Sequence, residues 1–373
     1  VLDRSLDQVL AKTSRSFALS LRVLPKATRR AVALAYLFAR AADTIADTRI
    51  LPLEERRRLL GSLGALIRTA PPDARELTTR RAVLDEIRAR LSGPAEVEAE
   101  RALLEGLPAA FLYWDEQPPL ERALTEKVLA TIVSGMDQDL ARFPDSANGT
   151  VRALETREDL DDYCYRVAGC VGEFWTALHR ARLSRLAAWP ERLQLGRARR
   201  FGRALQLTNV LRDIPRDLRH GRCYLPRQDL AALGVAPEEL LDPGSWERVR
   251  PLFRELLAVA DADARSGWRY ALLVPVSEPG LRLATALPLL LAHPTLGLLL
   301  EGNPLDPSTR RKVTRRRVLE LAGAAVLALP SNAALLRLFR RTARASGFDP
   351  KRGGISAARA GRPRPRGSRA GSG

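Results

Sequence analysis

The chain has 373 residues, 61 Lys+Arg against 43 Asp+Glu, a net charge of +18 and 46% hydrophobic residues. This length allows one large domain or two ordinary ones, and the apolar fraction suffices for a real core, which excludes disorder throughout and a disulfide-stapled mini-protein. Cys164, Cys170 and Cys223 form no CxxC pair and the three histidines are scattered, so neither a zinc site nor a disulfide framework is expected. The thiols fit a reducing cytosol, and no charged-then-apolar leader is visible.

In chain order, apolar residues recur at three- and four-residue spacing through 29–46, 52–69, 97–113, 120–141, 157–181, 196–214, 247–271 and 281–301, which predicts helices. Pro and Gly punctuate the gaps at Pro71-Pro72, Pro118-Pro119, 146–149, Pro243-Gly244 and Asn303-Pro304, where helices end. No segment alternates as a strand would. The expectation is one large all-α domain over 1–345, followed by a basic tail over 346–373. Residues 283–300 and 318–339 are apolar enough to raise the question of a membrane span. Both contain prolines and polar residues, and both read as core helices.

The charge is concentrated. The tail holds seven Lys/Arg against one acid and the run 310–317 holds six basic residues, which leaves about +6 elsewhere. The tail's Gly, Arg, Ser and Pro cannot offset their ordering entropy, so disorder is expected there. Attraction to anionic lipid or to nucleic acid is the functional reading of such a tail, and a solvated tail is the plain one. Basic runs without interleaved aromatics or a recognition motif argue against a nucleic-acid binder.

Two carboxylate clusters carry the chemistry. Arg40, Asp43 and Asp47 lie at i, i+3 and i+7 in an apolar helix and share a face. Asp43 and Asp47 are one turn apart with like charge, which destabilises a bare helix and asks for a cation. Gln206, Asn209, Arg212, Asp213 and Asp217 repeat the design on a second helix. Oxygen ligands alone point to Mg²⁺, which completes its shell with water and substrate phosphate. Two such faces would bridge Mg²⁺ to a diphosphate, with Arg40, Arg212 and Arg222 neutralising the remaining charge. Tyr163, Val167, Val171 and Phe174 fall on one helical face as a pocket wall, and Gly169 and Gly172 permit close helix approach. Tyr163 can orient a leaving group or stabilise a cation with its ring. Apolar walls beside a metal-bound diphosphate suggest ionisation of a prenyl diphosphate in a dry cavity.

The segments 12–25 (KTSRSFALSLRVLP), 39–47 (ARAADTIAD), 162–172 (DYCYRVAGCVG), 205–217 (LQLTNVLRDIPRD) and 221–226 (GRCYLP) resemble the squalene/phytoene synthase family. The resemblance runs over most of residues 8–320. It implies an isoprenoid synthase fold around a central cavity and head-to-head coupling of two prenyl diphosphates through a cyclopropyl diphosphate. The catalytic positions it implies are Tyr163, Arg40, Arg212 and Arg222, with Asp43, Asp47, Asp213 and Asp217 as metal ligands. Val167, Val171, Phe174, Gln206 and Tyr224 line the substrate pocket.

Residues 13–17 and 303–318 lean toward the squalene branch, which ends with hydride from NADPH. They give Ser14, Arg15, Ser16, Phe17, Asn209, Lys312 and Arg315 as cofactor or diphosphate contacts. The expectation is therefore a squalene synthase acting on two farnesyl diphosphates, cytoplasmic or peripheral at the inner face of a membrane. Its alternatives are a non-reductive phytoene, dehydrosqualene or presqualene diphosphate synthase, or a non-catalytic scaffold relative. Three departures from the family stand out. Ala46 and Arg216 replace acids, which predicts weaker metal binding. Pro215 sits inside the second cluster, where a kink is expected to misdirect Asp217. Ala284 stands where squalene synthases carry an aromatic residue.

Overall fold

The computed structural model describes residues 9–10, 21–67, 72–91, 98–144, 150–309 and 312–349. Among them the chain is helical nearly throughout: α1 (Lys26–Asp47), α2 (Leu53–Ile67), α3 (Ala74–Leu91), α4 (Glu98–Asp115), α5 (Pro119–Arg142), α6 (Arg157–Cys164), α7 (Cys170–Arg182), α8 (Glu191–Arg219), α9 (Arg227–Ala232), α10 (Trp246–Ala271), α11 (Pro279–Glu301), α12 (Arg315–Ala328) and α13 (Asn332–Ala345). The expected helices are present with ends shifted by a few residues. Helix α3 was not expected. It buries only Arg80, Leu84, Ile87 and Leu91, too thin a stripe to stand out of an arginine-rich sequence.

Three apolar clusters join these helices. Helix α1 is the centre of the first, packed against α2, α4 and α5. Its fully buried Phe38 meets Phe111 at 4.7 Å and the edge of Trp114 at 5.9 Å, the tilted geometry that aromatic quadrupoles favour. Helix α8 packs along α10 and also touches α7 and α11. It runs as one helix through the buried Pro215 to Arg219, which carries Asp217 on beyond the proline.

The segment 157–181 is not one helix. Residues Tyr165–Gly169 form a π-helical turn between α6 and α7. A π-turn inserts one extra residue and rotates everything after it relative to what came before. Glycines let this segment and α8 approach at backbone distance. A Cβ on Gly172 would stand 2.2 Å from the Ala198 carbonyl oxygen, and one on Gly202 2.2 Å from that of Ala168.

After α8, Gly221 adopts φ 73°, a left-handed conformation that glycine takes at little cost, and the chain turns into β2 (Arg222–Cys223). This pairs in parallel with β1 (Arg152–Ala153), Arg152 opposite Arg222. Two-residue alternation then sends Arg222 and Tyr224 to one side and Cys223 to the other.

Helix α11 is long and apolar enough to cross a membrane, but half of its most apolar stretch is buried within the fold, as expected of a core helix. The 318–339 stretch divides at Pro330 into α12 and α13, the second capped by Ser331, which accepts from the Ala334 N–H. The expected tail boundary at 346 needs correction. Phe348 is fully buried, with its ring edge-on to His293, so packing continues past 346; residues 350–373 lie outside those described.

The glycine contacts give a test. Gly202→Ala should gain about 1 kcal/mol of helix propensity yet lose more, roughly 1–3 kcal/mol, to overpacking against an immovable carbonyl. The urea midpoint should fall, and a rise would show that the helices are not in backbone contact.

Candidate active site

The cluster on α1 and the cluster on α8 line one cavity of about 910 Å³, together with Asp139, Tyr163, Val167, Arg222 and Tyr224. Arg40, Asp43, Asp47, Gln206, Asn209, Arg212, Asp213 and Asp217 all reach it, as their spacing predicts. Ala46, Arg216 and His220 also border it.

Three of the arginines pair with carboxylates. Arg40 pairs with Asp43. Arg212 donates two hydrogen bonds to Asp213, at 2.8 and 2.6 Å. Arg222 lies 3.6 Å from Asp47 and 3.4 Å from Asp139. Even so, the acids outweigh their partners. Burial, then the charge of Asp47, pushes the Asp43 carboxyl up to about 6. Burial, then Asp213, pushes Asp217 up to about 7. Burial also raises Asp139 to about 6 despite Arg222. Arg216, the departure from the acidic pattern, pulls both Asp43 and Asp217 back down.

Asp139 on α5 lines the cavity as well, and its sequence surroundings do not single it out. It is buried, accepts from the Tyr224 hydroxyl at 2.9 Å, and its Oδ1 has no hydrogen-bond partner. Tyr224 stacks on Tyr163 with ring centroids 4.5 Å apart, and Gln206 Nε2 donates to the Tyr163 hydroxyl at 3.4 Å. Burial, then Asp139, lifts the Tyr163 phenol well above its ordinary range. Tyr163 therefore offers a neutral hydroxyl and a ring, not a phenolate.

A second, apolar cavity of about 260 Å³ adjoins the first, and Val167 lines both. Its walls include Leu24, Val171, Trp175, Phe201, Tyr270 and Ala284. The expected stripe from Tyr163 to Phe174 is therefore divided by the π-turn. Tyr163 and Val167 face the first cavity and Val171 the second, while Phe174 is buried in the core and lines neither.

Among the expected cofactor contacts, Asn209 lines the large cavity, but Lys312 and Arg315 are exposed and line neither. They stand on the α12 approach, outside the walls that α1, α5, α6 and α8 form. Ser14, Arg15, Ser16 and Phe17 lie outside the described residues.

Residues 10–317 match the family model for squalene/phytoene synthase. The chain belongs to the squalene/phytoene synthase family. Relatives include the 15-cis-phytoene synthase of Synechocystis sp., 30% identical over 66% of this chain and 62% of that protein. The presqualene diphosphate synthase of Zymomonas mobilis subsp. mobilis is 32% identical over 60% of each. The chain thus spans about three-fifths of the length of these two relatives. Against the phytoene synthase of Cereibacter sphaeroides the match is 30% over 83% of this chain and 75% of that one. In fold, the chain superposes on the ligand complex of TcSQS with a TM-score of 0.72 at 23% identity, covering 92% of both chains. A dehydrosqualene synthase gives 0.57 at 23% identity, over 86% of this chain and 93% of that one. The all-α isoprenoid synthase fold expected for the family is the fold observed.

The family site has a pH signature. Folded, Asp217 holds its proton up to about 7, whereas the ordinary carboxyl value is 3.8. Between those values folding takes up a proton, so rising pH weakens the fold through that window. Asp217→Asn lacks this uptake. In metal-free buffer its thermal midpoint should gain steadily on the parent's from about pH 4 to about pH 7 and then hold a constant lead. Parallel curves for the two proteins would show that Asp217 titrates normally.

Proposed function

We propose that the chain condenses two prenyl diphosphates head to head, through a cyclopropyl diphosphate, and finishes without a nicotinamide. What carries this reading is one juxtaposition. A carboxylate- and arginine-lined cavity lies beside an apolar one, with Val167 lining both, and a prenyl diphosphate is polar and apolar in the same order. The family's phytoene and presqualene diphosphate synthases favour the non-reductive ending over the squalene ending. The placement of Lys312 and Arg315 outside both cavities leaves the reductive step without support from them.

The donor set fits Mg²⁺. Asp43, Asp47, Asp213 and Asp217 offer only oxygen, two of these carboxyls are pushed up by burial and then by a neighbouring carboxylate, and Asp139 Oδ1 is orphaned. Among the described residues no three acidic, His or Cys side chains form a ready-made metal cage, which suits an ion that relies on water and substrate phosphate for much of its shell. Bound there, Mg²⁺ would supply the charge that makes diphosphate a good leaving group.

The chain's own residues do the rest. Arg40, Arg212, Arg216 and Arg222 border the cavity and can take up the diphosphate oxygens that carboxylates repel. As the first C–O bond breaks, the pair of electrons leaves with diphosphate and an allylic cation remains. The double bond of the second substrate attacks it, and loss of a proton closes the cyclopropane. The apolar walls hold water away from the cation. Tyr163, buried and neutral, can steady the leaving group with its hydroxyl or the cation with its ring.

Purified protein given farnesyl or geranylgeranyl diphosphate with Mg²⁺ should release inorganic diphosphate. It should form a cyclopropyl diphosphate, or the hydrocarbon left once its remaining diphosphate departs and the rearranged cation loses a proton, identified by mass spectrometry and unchanged by NADPH. Asp43→Ala and Asp213→Ala should each slow this by roughly a hundredfold, about 3 kcal/mol of barrier, with unaltered circular dichroism. A product that changes with NADPH would restore the squalene reading, and absence of diphosphate release would remove the enzymatic one.

A further inference from the structure

Helices α12 and α13 form a hairpin on the outside of the fold, joined through Leu329, Pro330 and Ser331. They pack on α11 through Ala325, Ala328, Leu335 and Phe339. The opposite side of α12 is apolar and uncovered. Leu319 is 72% exposed, Val326 50% and Leu327 84%, and a Cβ on Gly323 would meet nothing within 4 Å. Offsets of 4, 7 and 8 from Leu319 put these residues on one face. The same face carries Arg315 and Arg316 one turn earlier.

Soluble helices keep such residues on the inside, and scattered exposed leucines would need no account. These are not scattered. Fully buried Arg282 donates to the Val274 carbonyl and to Asn332 Oδ1 at 2.7 Å. That ties the hairpin's tip to the turn after α10, where Leu273 and Val276 are exposed at 41% and 53%. Gly280, at the start of α11, sits directly against the Val23 carbonyl oxygen. Val23 is itself exposed, and its neighbours Leu21 and Leu24 line the apolar cavity. An apolar surface therefore gathers at the end of the molecule that holds that cavity's wall.

Its surroundings are basic. Residues 312–345 contain eight Lys/Arg and a single acid, Glu320. Arg316 and Arg317 share that acid. Arg337, Arg340, Arg341 and Arg344 are exposed along α13. Because the hairpin is antiparallel, Arg340, Arg341 and Arg344 return to the end where α12 begins with Arg315 to Arg317. The arrangement is apolar toward the tip and cationic toward the base.

We propose that this hairpin face docks the protein on an anionic phospholipid bilayer, with Leu319, Val326 and Leu327 in the acyl boundary and the arginines at the headgroups. An interfacial helix pairs an apolar face with Lys/Arg in this way, and cytoplasmic leaflets attract such clusters within a Debye length. A second copy of this face would bring the same excess of arginine and no counter-charge; acidic headgroups supply one, and they accept the apolar face as well. Docked so, the end of the fold beside the apolar cavity lies against hydrocarbon. The inference stands apart from which product forms.

The test is co-sedimentation of the full chain with phosphatidylcholine vesicles, with and without about 30% phosphatidylglycerol. Binding should require phosphatidylglycerol and weaken with salt. Leu319→Ser/Val326→Ser/Leu327→Ser should reduce it at least tenfold, and so should Arg340→Gln/Arg341→Gln/Arg344→Gln, with circular dichroism and turnover of detergent-dispersed substrate unchanged. Equal binding by the serine variant would overturn the proposal. So would a serine variant that breaks up an oligomer in sedimentation velocity while still binding vesicles, since a second copy of the chain would then be what covers this face.

Discussion

The burial of carboxylates around one cavity, with their mutual repulsion second, is the constraint on which the site depends. Asp43, Asp139 and Asp217 come from three different helices and all are driven toward protonation, because each has lost water and gained too little positive charge in return. Helices α1, α5 and α8 cannot close on one another while they carry such groups, so a cavity stays open where apolar packing would otherwise fill it. Arg40, Arg212 and Arg222 hold that cavity in balance by pairing with Asp43, Asp213, Asp47 and Asp139. A ligand that brings both positive charge and phosphate can exchange these pairings for stronger ones without moving a helix.

The second constraint is how closely the α6–α7 segment approaches α8. Gly172 and Gly202 bring backbone against backbone, and the π-turn between them sets which side chains face which space. With a regular helix, Phe174 would share a wall with Tyr163. With the extra residue, Val167 becomes the hinge point between a polar cavity and an apolar one, and Phe174 turns into the core. A single change of helical phase thus separates the place where charge is handled from the place where hydrocarbon can lie.

What the sequence made legible follows the range of the interactions involved. Asp43 with Asp47 and Asp213 with Asp217 are read at once, because an i, i+4 spacing is local and survives any tertiary arrangement. Asp139 left no such mark. It sits in an ordinary helix, and its partners Arg222 and Tyr224 are 83 and 85 residues away. Phe174 was misplaced because the π-turn depends on glycine packing against α8 and not on its own periodicity. Pro215 was overread: with its ring buried, helix α8 continues to Arg219 and Asp217 still reaches the cavity. Phe348 was hidden in a composition of Gly, Arg and Pro, where one buried ring is enough to anchor four more residues.

Arginine does two different things here, and its surroundings decide which. Inside the cavity every guanidinium near α1 and α8 has acids close by, and its charge is spent locally; Arg216 draws both Asp43 and Asp217 toward their charged forms. On α12 and α13 seven basic residues share one acid, so their field extends outward instead of cancelling. A planar guanidinium suits both settings, bidentate against carboxylate or phosphate and weakly hydrated at an interface. The net charge of +18 is therefore not one property. The part that lines the cavity is nearly neutralised within the fold, and the part left over lies on the hairpin and beyond it, where a negatively charged surface is the partner that would complete it.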